Sequence, residues 1–166
     1  MTTVSSAPKA RRIVDELKKC GITHFIYLPD DGTRAIIDFV QSDGEMVMIP
    51  VCREGEAFAI AAGLITGGKR PVVHIQNTGF LESGDSISGI IISTKQPLLF
   101  LVGYRGWQKT PPYRDPAAIY LEPVLKAWGI EYHIVETAAD AGKIAGAYRK
   151  TQDESRPVAL LITREE

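Results

Sequence analysis

Cysteine is scarce in this 166-residue chain: only Cys20 and Cys52 occur, far apart and without CxxC spacing. That excludes a disulfide framework and a cysteine-based zinc site, and it leads to the expectation of two reduced, buried thiols. An excess of one charge is lacking as well. Lys and Arg number 19 against 20 Asp and Glu, for a formal net charge of −1, so nothing draws the chain toward nucleic acid or an anionic membrane. Long apolar runs are missing too. The longest, such as PLLFLVG, fall far below the roughly 20 residues that a membrane span needs. The opening residues MTTVSSAPKARRIVDELKK contain no apolar signal core, which reads as a cytoplasmic protein. Internal repeats, low-complexity tracts and linkers are absent from the sequence, so one domain over residues 1–166 is expected.

What is present is a rhythm. Short apolar segments rich in Val, Ile, Leu and aromatics recur at Phe25–Pro29, Met46–Val51, Pro71–Gln76, Pro97–Gly103, Glu131–Val135 and Val158–Thr163. Their composition suits strands covered on both faces. Helical patterns lie around and between them, at Ala7–Cys20, Thr33–Gln41, Gly55–Ile65, Ser86–Thr94, Ala117–Trp128 and Ala138–Thr151. Such alternation predicts an α/β fold: a doubly wound, mainly parallel six-stranded sheet with helices on both faces. Ligands of such sheets bind beyond the carboxyl ends of the strands, which directs attention to the residues there.

After the first strand, LPDDGTR places Asp30 and Asp31 in a turn that an Asp N-cap also explains. After the second comes CREGEAFAIAAG. Glu56 falls in the first helical turn, where the helix dipole favours an acid. Glu54 falls at the mouth of the strand, ahead of small residues from Gly55 to Gly63 that let a helix approach another backbone closely. An acid at the edge of a dry contact loses hydration and favours its neutral form, a state useful where a proton or hydrogen bond must be supplied. After the third strand, Gln76, Asn77 and Thr78 are polar, and Gly79 permits close backbone approach. They suit a polar loop and ligand contact equally. His74, inside the apolar strand, is expected to be a satisfied core histidine. The loop after the fourth strand carries Arg105 and Arg114, suited to carboxylate, phosphonate or sulfonate recognition or to a solvated surface. Trp107 and Tyr113 there suit subunit contacts as well.

Taken in order, these segments resemble the pyrimidine-binding (PYR) domain of thiamine-diphosphate enzymes, and within them the sulfopyruvate and phosphonopyruvate decarboxylase group. The segments are GITHFIYLPDDGTRAII, REGEAFAIAAGLITGGKRPVVHIQNTG (with Thr78 where serine is usual), PLLFLVGYRG (with Tyr104 for tryptophan) and RPVALLIT. The resemblance implies that Glu54 is the catalytic glutamate, hydrogen-bonded to N1′ of the cofactor's aminopyrimidine and promoting the tautomer that takes the proton from thiazolium C2. It further implies that Gln76, Asn77, Thr78 and Gly79 line the cofactor, and that Asp30, Asn77 and Arg105 face the substrate, a 2-oxo acid. Thiamine diphosphate would serve as the electron sink for decarboxylation.

The family's diphosphate and magnesium segment, Gly-Asp-Gly followed by asparagines, has no counterpart. Gly84-Asp85-Ser86 lacks the second glycine and stands in the PYR half. The resemblance therefore implies an alpha subunit whose partner, a beta subunit with the diphosphate-binding domain, holds the Mg2+, with the cofactor shared at their interface and self-association expected. Two departures touch the substrate pocket: TPPYRDPAAIYLEP keeps only Asp115-Pro116 of the usual run, and FLESGDS replaces the usual glycine-asparagine. The reaction class is thus carried further than the identity of the 2-oxo acid. A non-catalytic PYR-like binding or regulatory module is the alternative; a flavodoxin-like nucleotide binder lacks support, because no Gly-rich loop follows the first strand.

Overall fold

A computed structural model describes residues 7–110, 112, 113 and 115–164; Arg114 lies outside the described residues. The elements are α1 (Pro8–Lys19), β1 (His24–Tyr27), α2 (Arg34–Asp43), β2 (Val47–Pro50), α3 (Glu54–Thr66), β3 (Pro71–Gln76), α4 (Asn77–Glu82), a π-helical segment (Ser86–Ile92), β4 (Leu99–Gly103), α5 (Pro116–Ala127), β5 (Glu131–Val135), a 3-10 turn (Ala138–Gly142), α6 (Lys143–Glu154) and β6 (Val158–Ile162).

The strands form one sheet in the order β2-β1-β3-β4-β6-β5, and every pairing is parallel. Parallel neighbours require crossovers, and these place helices on both faces. On one face α1, α2 and α6 bury Ile13, Leu17, Ile36, Val40 and Ile144 against Phe25, Val72, Leu101 and Leu160. On the other, α3, α4, the π-helical segment and α5 bury Phe58, Phe80, Ile87, Ile91 and Leu121 against Ile26, Val73, Ile75, Phe100 and Leu161. Phe80 stacks on Phe100 with ring centroids 5.9 Å apart, and Phe58 meets the same ring edge-on at 5.6 Å. The central strands β3, β4 and β6 are buried almost throughout. β2 and β5 are not covered on both faces as their composition suggested, because the strand order puts them at the edges; Val47 of β2 is 56% exposed.

Three local features differ from expectation. Asn77–Glu82 is a helix rather than a loop. α3 begins at Glu54, so both acids stand in its first turn. The thiols are not buried: Cys20 is half-buried and Cys52 exposed. Of the described residues, no helix is long and apolar enough to cross a membrane.

The chain leaves β1 toward β2 across one face and leaves β3 toward β4 across the other. A crevice therefore opens between the carboxyl ends of β1 and β3, where such sheets bind ligands.

Candidate functional site

A cavity of about 720 Å³ fills this crevice, bounded by the ends of β1, β3, β4 and β6. Pro29–Thr33, Gln76, Gly103–Trp107, Ile162 and Arg164 line it. It thus gathers Asp30, Gln76 and Arg105 from three separate strand ends.

Asp30 is 6% exposed and fully engaged. Its Oδ1 accepts from Gln76 Nε2 (2.6 Å) and Gly32 N (3.2 Å), and its Oδ2 from Thr33 Oγ1 (2.7 Å). It rests directly on Gly103, where a Cβ would overlap Asp30 Oδ2. The glycine that ends β4 is what admits the carboxylate to the crevice floor. Asp30 is thus more than a turn residue: it ties the end of β1 to the ends of β3 and β4.

His74 continues the chain of hydrogen bonds. Its Nε2 lies 2.8 Å from Thr33 Oγ1. The single hydroxyl proton of Thr33 goes to Asp30, so Nε2 must carry a proton and donate, which leaves Nδ1 as a bare acceptor. Nδ1 is buried and has no hydrogen-bond partner among the described residues. Complete burial pushes the ring's pKa down to about 4, against the pull of Asp30 in the other direction. The expected satisfied core histidine is therefore only half satisfied, and it is neutral.

The next residues along β3 and α4 point to different neighbours. Thr78 is exposed, and its Oγ1 donates to Gln76 Oε1 (2.7 Å). Asn77 is fully buried: its Nδ2 donates to the Arg105 carbonyl (2.8 Å), and its Oδ1 accepts from Thr78 N (3.1 Å). Asn77 thus acts on the cavity by holding the backbone of Arg105. The Arg105 side chain is also held, with Nε donating to Asp115 Oδ2 (2.9 Å); Asp115 caps α5 by accepting from Ala117 N (2.9 Å). The Arg105 guanidinium and the Ala117 amide together keep the Asp115 carboxyl below its usual range, although its partial burial works the other way.

Glu54 is placed elsewhere. It opens α3 at the rim and does not line the crevice cavity. Its side chain is half-buried and packs on Gly79 of α4, where an added Cβ would collide with Glu54 Cγ, Cδ and Oε1. Among the described residues its carboxyl oxygens have no hydrogen-bond partner. Glu56, two residues on, is engaged by the backbone. Its Oε2 accepts from Cys52 N (3.2 Å) and Arg53 N (3.4 Å), closing the start of the helix. The acids of α3 are therefore distinct in use, one committed to the backbone and the other without a hydrogen-bond partner among the described residues. Gln76, Thr78 and Gly79 connect the two regions, since Gln76 faces the cavity and Gly79 underlies Glu54.

Four contributors escape a strand-by-strand reading. Thr33 and His74 complete the Asp30 network through residues 41 positions apart, a pairing no local pattern signals. Lys9 of α1 is 5% exposed and donates to the carbonyls of Glu136 (3.1 Å), Thr163 (2.9 Å) and Arg164 (3.0 Å) and to Thr163 Oγ1 (3.1 Å). Arg164 follows β6 and lines the cavity, and its position just past a strand was the available signal.

No protein-family model matches the chain. It is 29% identical over 154 residues to the sulfopyruvate decarboxylase subunit alpha of Methanocaldococcus jannaschii, covering 90% of each chain. It is 25% identical over 144 residues to the same subunit of Methanococcus maripaludis, covering 86% of each. Among solved structures it superposes on part of the 2-oxoglutarate:ferredoxin oxidoreductase of Magnetococcus marinus with a TM-score of 0.75, over 95% of this chain and 28% of that one. At 14% identity, that likeness concerns the fold alone. By sequence over most of its length, the chain is similar to the alpha subunits of sulfopyruvate decarboxylase.

Proposed function

We propose that this chain is the pyrimidine-binding alpha subunit of a thiamine-diphosphate-dependent 2-oxo acid decarboxylase acting on sulfopyruvate or phosphonopyruvate, cytoplasmic, with residues 1–166 as one PYR-type domain. The observation that carries this is the state of Glu54: a half-buried carboxyl group with no hydrogen-bond partner among the described residues, seated on the one glycine that leaves room for it. A carboxyl group so placed, with no hydrogen bond from the described residues, is poised for one from outside the chain. In this proposal Glu54 bonds the aminopyrimidine and holds the proton that activates it, with Gln76, Thr78 and Gly79 beside it. When bound, thiamine diphosphate supplies the electron sink for decarboxylation. Asp30, held by Gln76, Gly32 and Thr33, orients the substrate side of the crevice. Asn77 keeps Arg105 in place, and Arg105 binds the substrate's far anion.

The described residues contain no group of three or more His, Cys, Asp or Glu that could hold a metal, and the proposal gives magnesium and the diphosphate to a beta subunit. The name "subunit alpha" of the similar proteins supports such a partner. So does the outer side of α3, where Ala59 and Gly63 are exposed and Ile60, Leu64 and Ile65 only half-covered. A partner lying there would dry the rim that holds Glu54.

The test is co-expression with a beta chain carrying the Gly-Asp-Gly segment, followed by assay of 2-oxo acids with thiamine diphosphate and magnesium. Glu54→Gln is expected to leave cofactor binding, read by calorimetry, nearly unchanged while lowering turnover by about 10²–10⁴-fold. Gly79→Ala moves the same carboxyl group without altering it, so its loss of about tenfold or more should come with an unchanged melting temperature. Turnover by Glu54→Gln within a few-fold of the parent would refute the assignment.

A further inference from the structure

The cavity in the β1/β3 crevice holds a second arginine besides Arg105. Gly103 of β4 pairs in register with Ile162 of β6, and Tyr104 N extends the ladder by donating to the Ile162 carbonyl (2.7 Å). Arg105 and Arg164 follow this last rung by two residues each, on adjacent strands, and both line the cavity. Each stands on a fixed backbone. The carbonyl of Arg105 is held by Asn77 Nδ2 and that of Arg164 by Lys9 Nζ, and the intervening Thr163 amide donates to the Val135 carbonyl (3.2 Å). The Arg105 guanidinium is oriented through Nε by Asp115, while the Arg164 side chain is exposed.

The acids of the same cavity do not neutralise this pair locally. Asp30 already accepts from Gly32 and Thr33 beside it and from Gln76 at the end of β3, and exposed Asp31 lies beside it on the β1 side. The β1 side of the cavity thus carries the carboxylates, and the β4/β6 side carries two guanidinium groups, of which Arg105 is ion-paired with Asp115 outside the cavity.

We infer that Arg164 and Arg105 together form a clamp for a tetrahedral anion, a sulfonate or phosphonate, at the far end of the substrate, and that Arg164 determines specificity for it. A planar carboxylate presents two oxygens, which one guanidinium fork can satisfy; a sulfonate or phosphonate presents three and can engage two forks from different directions. Two arginines on neighbouring strand ends suit the second geometry. The inference rests on the decarboxylase reading for the word substrate, but the clamp lies within one chain and is measurable without turnover.

The probe is sulfoacetate, which has a sulfonate and a carboxylate but no oxo group to react, with malonate as its all-carboxylate counterpart. Both are titrated calorimetrically into the full-length chain. Arg164→Ala is expected to weaken sulfoacetate about tenfold or more, malonate clearly less, with Arg164→Lys restoring only part because the ammonium lacks the fork. Arg12→Ala, remote from the cavity, should change neither. Failure of the parent chain to bind sulfoacetate, unchanged affinity in Arg164→Ala, or equal losses for both probes would overturn the inference. The two readings fail separately. Sulfonate binding that needs Arg164, in a complex that decarboxylates nothing, sinks the decarboxylase and keeps the clamp. Sulfopyruvate turnover with a KM indifferent to Arg164→Ala does the reverse.

Discussion

Single hydrogens organise the Asp30 corner. Thr33 has one to give and gives it to Asp30, which obliges the His74 ring to donate from Nε2. Burial is what keeps that ring neutral, by holding its pKa near 4 against an ordinary 6.5. Above about pH 6.5 the ring is neutral in both folded and unfolded chains and has no effect on stability. Below that value the unfolded ring binds a proton that the folded ring refuses, so stability present at neutral pH is lost as pH falls from about 6.5 toward 4. The loss amounts to about 2 kcal/mol at pH 5. His74→Gln keeps an N–H for Thr33 but cannot titrate. Urea midpoints at pH 7 and pH 5 should therefore fall further in the parent than in this variant; equal falls would rule out His74 as the source.

Among the elements, α4 links the two regions of the site. It starts without a break from β3, is anchored in the core by Phe80 against Phe100 and Trp128, and carries Asn77 toward Arg105 and Gly79 beneath Glu54. Asn77 is the more exacting of the two, since both ends of its amide are used in a fully buried place. Asn77→Ala leaves the Arg105 carbonyl unpaired, at a cost of about 1–3 kcal/mol. Asn77→Asp sets an acceptor against that carbonyl and should destabilise more than alanine does in chemical denaturation at pH 7. Aspartate as stable as alanine would mean that the contact to Arg105 contributes little.

For the molecule as a whole, the face outside α3 is where a second chain belongs in this reading. A Cβ at Gly63 meets no atom within 4 Å among the described residues, so a large side chain there burdens a partner rather than this chain. Gly63→Arg should raise the stability of the isolated chain by about 0.5–1 kcal/mol, since arginine is the better helix former, yet abolish co-purification with the beta chain. Retained association would place the interface elsewhere. Lys9 works at the same scale, joining α1 to the ends of β5 and β6. Lys9→Met withdraws a buried charge from carbonyls and a hydroxyl arranged around it, and a loss of about 2–4 kcal/mol is expected from the denaturation midpoint.

Much of the fold was legible in the chain because it is written locally. Apolar runs such as VALLI and PVVHIQ, short and rich in branched residues, suit strands buried on both faces, and the helical crossovers between them suit parallel pairing. The same logic located Asp30, Gln76 and Arg105 at strand ends before any of them could be seen to share a cavity. Asn77–Glu82 was not legible, because its polar start and its glycine resemble a loop; packing of Phe80 on the sheet overrides that weak propensity. The pairing of Thr33 with His74, the seat of Asp30 on Gly103 and that of Glu54 on Gly79 were also out of reach. By itself the sequence determined the alternation of elements and which residues stand where strands end. Only the tertiary structure decided which of those residues meet, and which carboxyl group, Glu54 rather than Glu56, is left without a hydrogen-bond partner among the described residues. Periodicity along a chain reports which face of an element is buried, whereas hydrogen-bond partners are chosen by strand order, which brings together residues that sequence keeps far apart.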